Sequence, residues 1–189
     1  MKVIKGYNTT EKLYQIELND RDIVSYCQNG KLIKLKYGLY RKADMFLNNQ
    51  NFIDAAQAMP YCVIARISAL SFYDLTTFIP KYVEVDIPNG YKKPVIIYPN
   101  VKIKNADINK FKKHIITQKQ GRYSFRIYDI EKTLCDCIKR RKDIGVDIVR
   151  EALKTYLKHP DKNIDKLFKV AKKNHVSVKL LSEWLGVML

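Results

Sequence analysis

The hydrophobic period of this chain changes along its length, and the change restricts the folds open to it. Before residue 80, apolar side chains recur mostly at helical spacing, whereas in the segment 82–128 the period becomes two. There Val83, Val85 and Ile87 alternate with polar neighbours, as in a strand with one covered face. Helical spacing then returns to the end of the chain. This order predicts an α+β fold, with a mostly antiparallel sheet and closing C-terminal helices.

The pattern of the first forty residues predicts two short helices followed by a basic hairpin. A pair of threonines can cap a helix through about Ile16, and Asn19-Asp20 can cap a second helix through about Gln28. The segment 30–40, GKLIKLKYGLY, then reads as two strands joined by a tight turn. Its alternation predicts that Ile33 and Leu35 face inward while the lysines face outward.

Two helices followed by a basic hairpin form the minimal plan of a winged helix. In that plan the second helix enters the major groove of DNA and the wing contacts phosphates. The alternative is a helical subdomain whose hairpin packs on the rest of the protein. We expect a winged-helix module over 1–44 and an α/β domain over 45–189. The DNA-contact candidates are Arg21, Ser25, Gln28, Lys31, Lys34, Lys36, Tyr37 and Arg41.

Helices are also expected on both sides of the strand-rich segment. Residues 52–59 are Ala-rich, and Pro60 is expected to open a stronger helix over 61–73. Further strands are predicted at 95–98, 101–104, 115–118 and 123–128, and closing helices at 130–141, 146–157, 164–174 and after Ser177.

No arrangement of residues predicts an enzyme, a cofactor or a metal site. The 7 glycines lack the spacing of a phosphate-binding loop. Glu84 and Asp86 faintly resemble a nuclease metal site, but Pro88 stands where a lysine is expected, so a solvated strand face is the prediction. Cys135 and Cys137 are two apart on a predicted helix and point in different directions. No apolar run approaches the roughly 20 residues of a membrane helix, so we expect a cytoplasmic protein.

The charge of the chain favours a polyanionic partner. Lys and Arg number 35 against 19 Asp and Glu, a formal net charge of +16. In the second part, Tyr123, Phe125 and Tyr128 interleave with basic residues, which suits either stacking on single-stranded nucleic acid such as RNA or a place in the sheet core. The predicted C-terminal basic surface comprises Lys110, Lys112, Lys113, Lys119, Arg122, Lys139, Arg140, Arg141 and Lys142.

Three segments in sequence resemble one known family. They are the basic hairpin over 30–40, the stretch ISALSFYDLTTFIP over 67–80 with YVEVDIP after it, and YDIEKTLCD over 128–136 with KRRKDIGVDIVREAL shortly beyond. In this order they resemble the AbiEi family, the antitoxins of type IV toxin–antitoxin (abortive infection) systems. The resemblance extends over nearly the whole chain.

The resemblance implies a function as well as a fold. Such proteins have an N-terminal winged helix that binds promoter DNA and represses their own operon. Their larger C-terminal domain counteracts a nucleotidyltransferase-like toxin without forming a stable complex. Carried over, Arg21, Ser25, Lys34, Lys36 and Arg41 are DNA-contact candidates, and Thr133 and Asp136 mark the C-terminal motif. The alternative is a protein-interaction module that acts only on a partner protein, without DNA binding.

Overall fold

The architecture follows the predicted class. The computed structural model describes residues 4–188, except for the side chains at positions 110 and 188. Within these residues helices accompany a three-stranded sheet and a five-stranded sheet. Four of the six strand pairs are antiparallel, and both parallel pairs lie in the larger sheet. The predicted α+β fold is confirmed.

The N-terminal unit combines two short helices with a three-stranded antiparallel sheet, in which β3 (Leu39–Lys42) lies between β1 (Tyr7–Thr9) and β2 (Leu32–Lys36). The predicted caps are present: Thr9 accepts from the N–H of Lys12, and Asn19 forms a reciprocal capping box with Asp22. Strand β1 was not predicted from the sequence. The elements are β1 (Tyr7–Thr9), α1 (Thr10–Gln15), α2 (Asp20–Gln28), β2 (Leu32–Lys36) and β3 (Leu39–Lys42).

A bulge alters the predicted alternation of the hairpin. The register of β2 against β3 shifts between Lys34 and Lys36, so one residue of β2 has no partner across the ladder. Leu32 and Leu35 are therefore the buried pair, and Ile33 is only half-buried. The prediction that Ile33 and Leu35 share the inner face is wrong at Ile33.

The C-terminal part is built on a mixed sheet, with the strand order β6 (Val101–Ala106), β5 (Val83–Pro88), β4 (Val63–Ile64), β8 (Tyr123–Tyr128) and β7 (Ile115–Gln120). The predicted helix over 61–73 is wrong in its first half, because Val63 and Ile64 form a short central strand that pairs with Val85 and with Ile127. The predicted strand at 95–98 is reduced to a single bridge. The elements are α3 (Gln50–Ala58), β4 (Val63–Ile64), α4 (Arg66–Phe72), β5 (Val83–Pro88), β6 (Val101–Ala106), α5 (Ile108–Phe111), β7 (Ile115–Gln120) and β8 (Tyr123–Tyr128).

The closing helices pack around a separate apolar core that includes Tyr156 and Trp184. Asp129 caps the first of them by accepting from the N–H of Lys132, and Ser177 caps the last by accepting from the N–H of Leu180, as predicted. These helices are α6 (Ile130–Lys139), α7 (Arg141–Ile144), α8 (Val146–Lys158), α9 (Ile164–Lys173) and α10 (Val178–Met188). No helix in the described range 4–188 is long and apolar enough to cross a bilayer.

The hairpin of the N-terminal unit is bonded to the rest of the protein. The N–H of Ile97 donates to the carbonyl of Leu35 at 2.8 Å, and the ammonium of Lys36 donates to the carbonyl of Ala58 at 2.8 Å. On the opposite edge, the rings of Tyr7 and Tyr123 meet edge to face at 5.0 Å. The domain boundary at residue 44 stays a prediction. These contacts join the parts of the chain on its two sides.

Candidate functional site

Helix α2 presents a polar outer face. Arg21 and Gln28 are exposed, and Ser25 between them is half-buried. Val24 on the same face is 55% exposed, an unusual place for a β-branched apolar side chain. Val24 is not among the outward residues predicted for α2 from the sequence. Its position next to Ser25 on the predicted outward face could have indicated its exposure.

The hairpin places basic side chains beside an exposed ring. Tyr37 lies in the turn and is 91% exposed. The ammonium of Lys34 is 5.6 Å from the centre of that ring, and Lys31 lies 5.1 Å from the ring of Tyr26. Cation–π contacts of this kind hold flexible lysines near one position without neutralising them.

Arg41 does not belong to this outer surface. Its side chain is buried, and its Nε lies 3.0 Å from a carboxylate oxygen of Asp54. Its Nη1 donates to the carbonyl of Met45 at 2.9 Å. These contacts contradict the prediction that Arg41 contacts DNA. Lys36, which is half-buried, has its ammonium committed to Ala58 and is a weaker candidate than predicted.

The partner of Arg41 is a carboxylate that joins three elements. Asp54 of α3 is fully buried and also accepts from the Tyr7 hydroxyl of β1 and from the Gln50 amide at 2.9 Å. Desolvation raises the pKa of Asp54 above its usual value, against the lowering effect of Tyr7 and Arg41. The cluster thus fastens the N-terminal sheet to the first helix of the C-terminal part.

The predicted C-terminal basic surface is divided among three places. Lys112 and Lys113 follow α5, Lys119 and Arg122 flank the β7–β8 turn, and Lys139 to Lys142 lie at the α6–α7 junction. All of these are exposed except Arg141, which is half-buried and donates to the carbonyl of Ile138. The side chain of Lys110 lies outside the described residues. Lys113 lies near Lys139 and Arg140, because they line adjoining cavities, whereas Lys119 and Arg122 line neither of these cavities.

The aromatic residues near these cations belong to the core. Phe125 and Tyr128 are 2% and 1% exposed, and Tyr123 is half-buried against Tyr7. Rings at this depth cannot stack with bases. Of the two interpretations, the place in the sheet core is correct for Phe125 and Tyr128, and Tyr123 packs at the edge of that core.

The two residues of the C-terminal family motif, Thr133 and Asp136, both lie on α6 but have different surroundings. Thr133 is fully buried, and its hydroxyl donates to the carbonyl of Tyr128 at 3.4 Å. Asp136, one helical turn further on, pairs with Lys132. Desolvation raises the pKa of Asp136, and the negative charge of Asp86 adds to this effect.

The carboxylates of β5 are buried and paired, which sequence reasoning did not anticipate. Arg66 lies against both of them: its Nε donates to Glu84 at 3.2 Å and its Nη1 to Asp86. The prediction of a solvated strand face is wrong, because Arg66 and α4 cover that face. Arg66 adopts φ +52°, a strained conformation for a residue with a Cβ, which its bonds to β5 hold in place.

In this cluster an arginine lies against both carboxylates of β5. Among the described residues no group of three or more His, Cys, Asp and Glu side chains could hold a metal ion. Arg66 occupies the space between the two carboxylates where a cation would bind. An arginine in the apolar stretch CVIARISAL was the signal in the sequence that a buried acid would pair with it.

Comparison with known proteins yields a fold relationship. No family model matches the sequence, and no curated protein matches it either. The crystal structure of the Rv2827c protein from Mycobacterium tuberculosis is similar, with a TM-score of 0.55 and 12% sequence identity. The match covers 90% of this chain and 73% of that one. At this identity the likeness concerns architecture alone.

Proposed function

We propose that this protein is a DNA-binding regulator and antitoxin of the AbiEi type. Its N-terminal unit binds promoter DNA as a winged helix, with α2 in the major groove and the β2–β3 hairpin against the phosphates. Its C-terminal domain counteracts a nucleotidyltransferase-like toxin in the cytoplasm without forming a stable complex. The family part of the proposal rests on the three sequence segments described above.

One observation carries the DNA-binding half of the proposal. Exposed Arg21 and Gln28 on α2 belong to the same small unit as Lys31, Lys34 and exposed Tyr37 on the hairpin. Polar side chains on a helix can read base edges, while lysines on a wing fix its position on the backbone. Asp20 and Asp22 at the start of α2 reduce the local positive charge, and Asp22 accepts from the N–H of Asn19 in its capping box.

Fluorescence anisotropy with the DNA upstream of the gene tests this half. Replacing Arg21, Lys31 and Lys34 together by Ala removes three cations from the proposed interface. We expect affinity to fall at least about tenfold, and the slope of log Kd against log salt to decrease by about 0.9 for each lost phosphate contact. Folding is monitored by urea denaturation, which should be unaffected.

A matched control variant shows whether the loss of DNA affinity comes from the proposed interface or only from the lower net charge of the protein. Lys154, Lys169 and Lys172 are exposed on α8 and α9, away from the N-terminal unit. Their replacement by Ala lowers the net charge equally and should leave affinity within about twofold of the native protein. Equal loss in both triple variants would show that only the +16 charge attracts DNA.

The antitoxin half is tested by growth rescue. The chain is co-expressed with a nucleotidyltransferase-like toxin of a type IV system, the class of partner that the resemblance implies. We expect rescue by the native chain and also by the Arg21, Lys31, Lys34 triple variant, because the family assigns antitoxin activity to the C-terminal domain. Absence of rescue by the native chain would refute the antitoxin assignment. Rescue together with a stable complex and no DNA affinity would favour the protein-interaction alternative.

A further inference from the structure

A cavity of about 500 Å³ opens beside α6, on the face of β5 that carries the buried carboxylates. A second cavity of about 440 Å³ adjoins it and shares Lys132 as a lining residue. We call the two together the α6 groove, whose floor includes Asp86, Lys132 and Asp136 and whose rim carries Lys139, Arg140 and Lys173. Its size lies in the range of small-molecule sites, about 300–1,000 Å³.

The floor of the α6 groove holds charges that a purely structural core would avoid. Asp86 uses Oδ1 to accept from Arg66, and Asp136 uses Oδ2 to accept from Lys132. Both carboxylates keep part of their surface open, with side-chain exposures of 11% and 17%. Each carboxylate has a second oxygen, which can accept an N–H or O–H from a bound molecule. Buried ion pairs seldom stabilise a fold more than apolar residues of similar volume, so their place in a cavity indicates binding.

The rim of the α6 groove is basic. Lys139 and Arg140 end α6, and Lys173 ends α9, and all three are exposed. Within the described part of the chain, none of the three forms an ion pair. Asp107 and Asp143 also line the opening, so the rim carries cations and acids side by side, with the cations in excess. An anionic group bound here would contact lysine and arginine donors that have no carboxylate of their own.

We propose that the α6 groove binds a nucleoside phosphate. The phosphates lie against Lys139, Arg140 and Lys173, and the N–H and O–H donors of the nucleoside reach Asp86 and Asp136. A ligand with a negative end and a donor-bearing end fits both parts of the groove, whereas inorganic phosphate would leave the floor carboxylates unused. This site is separate from the proposed DNA interface, and its test does not depend on DNA or toxin.

Isothermal titration calorimetry of the full chain tests the proposal with ATP, GTP, CTP and UTP, and with inorganic tripolyphosphate as the phosphate-only probe. We expect at least one nucleotide to bind with one-to-one stoichiometry and a Kd below about 1 mM, at least about tenfold tighter than tripolyphosphate. Replacement of Asp136 by Asn should weaken nucleotide binding without weakening tripolyphosphate binding, because it removes an acceptor and a negative charge together.

Exposed-residue variants keep the test independent of folding. Arg140→Ala with Lys173→Ala should weaken nucleotide binding about tenfold or more, because both remove rim donors. The control pair Lys169→Ala with Lys172→Ala removes the same charge from α9 outside the groove and should change the Kd by less than about twofold. The proposal is overturned by no nucleotide binding at about 1 mM, by equal losses in the two pairs, or by tripolyphosphate binding as tightly as the nucleotides.

Discussion

Replacing Arg41 by Ala tests whether this side chain stabilises the fold through its buried ion pair or contacts DNA. The substitution removes the ion pair of Arg41 with Asp54 and its bonds to the carbonyls of Lys42 and Met45. Asp54 then remains fully buried with only neutral donors. Leaving one member of a buried pair alone costs about 3–5 kcal/mol. Against a total stability of about 5–15 kcal/mol, this is a large fraction.

Urea denaturation at pH 7 measures this loss. With an m-value of about 2–3 kcal/mol/M for a chain of this size, the midpoint should fall by about 1–2.5 M. Lys34→Ala, which removes a half-exposed cation from the neighbouring strand, should change the free energy of unfolding by no more than about 0.5 kcal/mol. A loss below about 1 kcal/mol in Arg41→Ala, together with weakened DNA binding, would refute the structural role.

The same variant should show a distinct pH dependence. Burial raises the pKa of Asp54, so the folded state binds its proton more tightly than the unfolded state, and protonation favours folding. Because Arg41 lowers this pKa, its removal raises the pKa further. The destabilisation in Arg41→Ala should therefore be full above the folded pKa and diminish as pH falls through it. With Asp54→Asn added, this relief on acidification should disappear. Its persistence would mean that another group is responsible.

Three further outcomes follow from the geometry. Gly6 has φ +59°, and an added Cβ would lie 2.1 Å from the Tyr123 hydroxyl, so Gly6→Ala should lower the free energy of unfolding by about 2 kcal/mol in urea denaturation. Of the four free cysteines only Cys27 is not buried, so Ellman's reagent should titrate one thiol in the folded protein and four in urea. Tyr37→Ala should reduce DNA affinity about threefold to tenfold in anisotropy, with the urea midpoint unchanged, because its ring is 91% exposed.

The sequence by itself determined the features that depend on neighbours along the chain. The helix starts at Asn19, Asp129 and Ser177 were predictable because a cap bonds to an N–H three residues away. The alternation of Val83 and Val85 predicted a strand, since side chains on a strand point to opposite faces in turn. The exposure of Arg21 and Gln28 on α2 followed from helical spacing in the same way, whereas that of Val24 was missed. These local rules were sufficient for the α+β class.

Only the tertiary structure decided which polar faces meet solvent. Arg41 looked like a basic wing residue until Asp54, thirteen residues later, was placed beside it. Asp86 was expected to face solvent, but Arg66 at the start of α4, twenty residues earlier, pairs with it. Strand β4 has only two residues, too few to show a periodic pattern. It is a strand because it pairs with β5 on one side and β8 on the other. The periodicity of a sequence tells on which face of its own helix or strand a residue lies. The element that packs on that face comes from elsewhere in the chain. The burial of the side chain, its ion pairs and its pKa depend on that element.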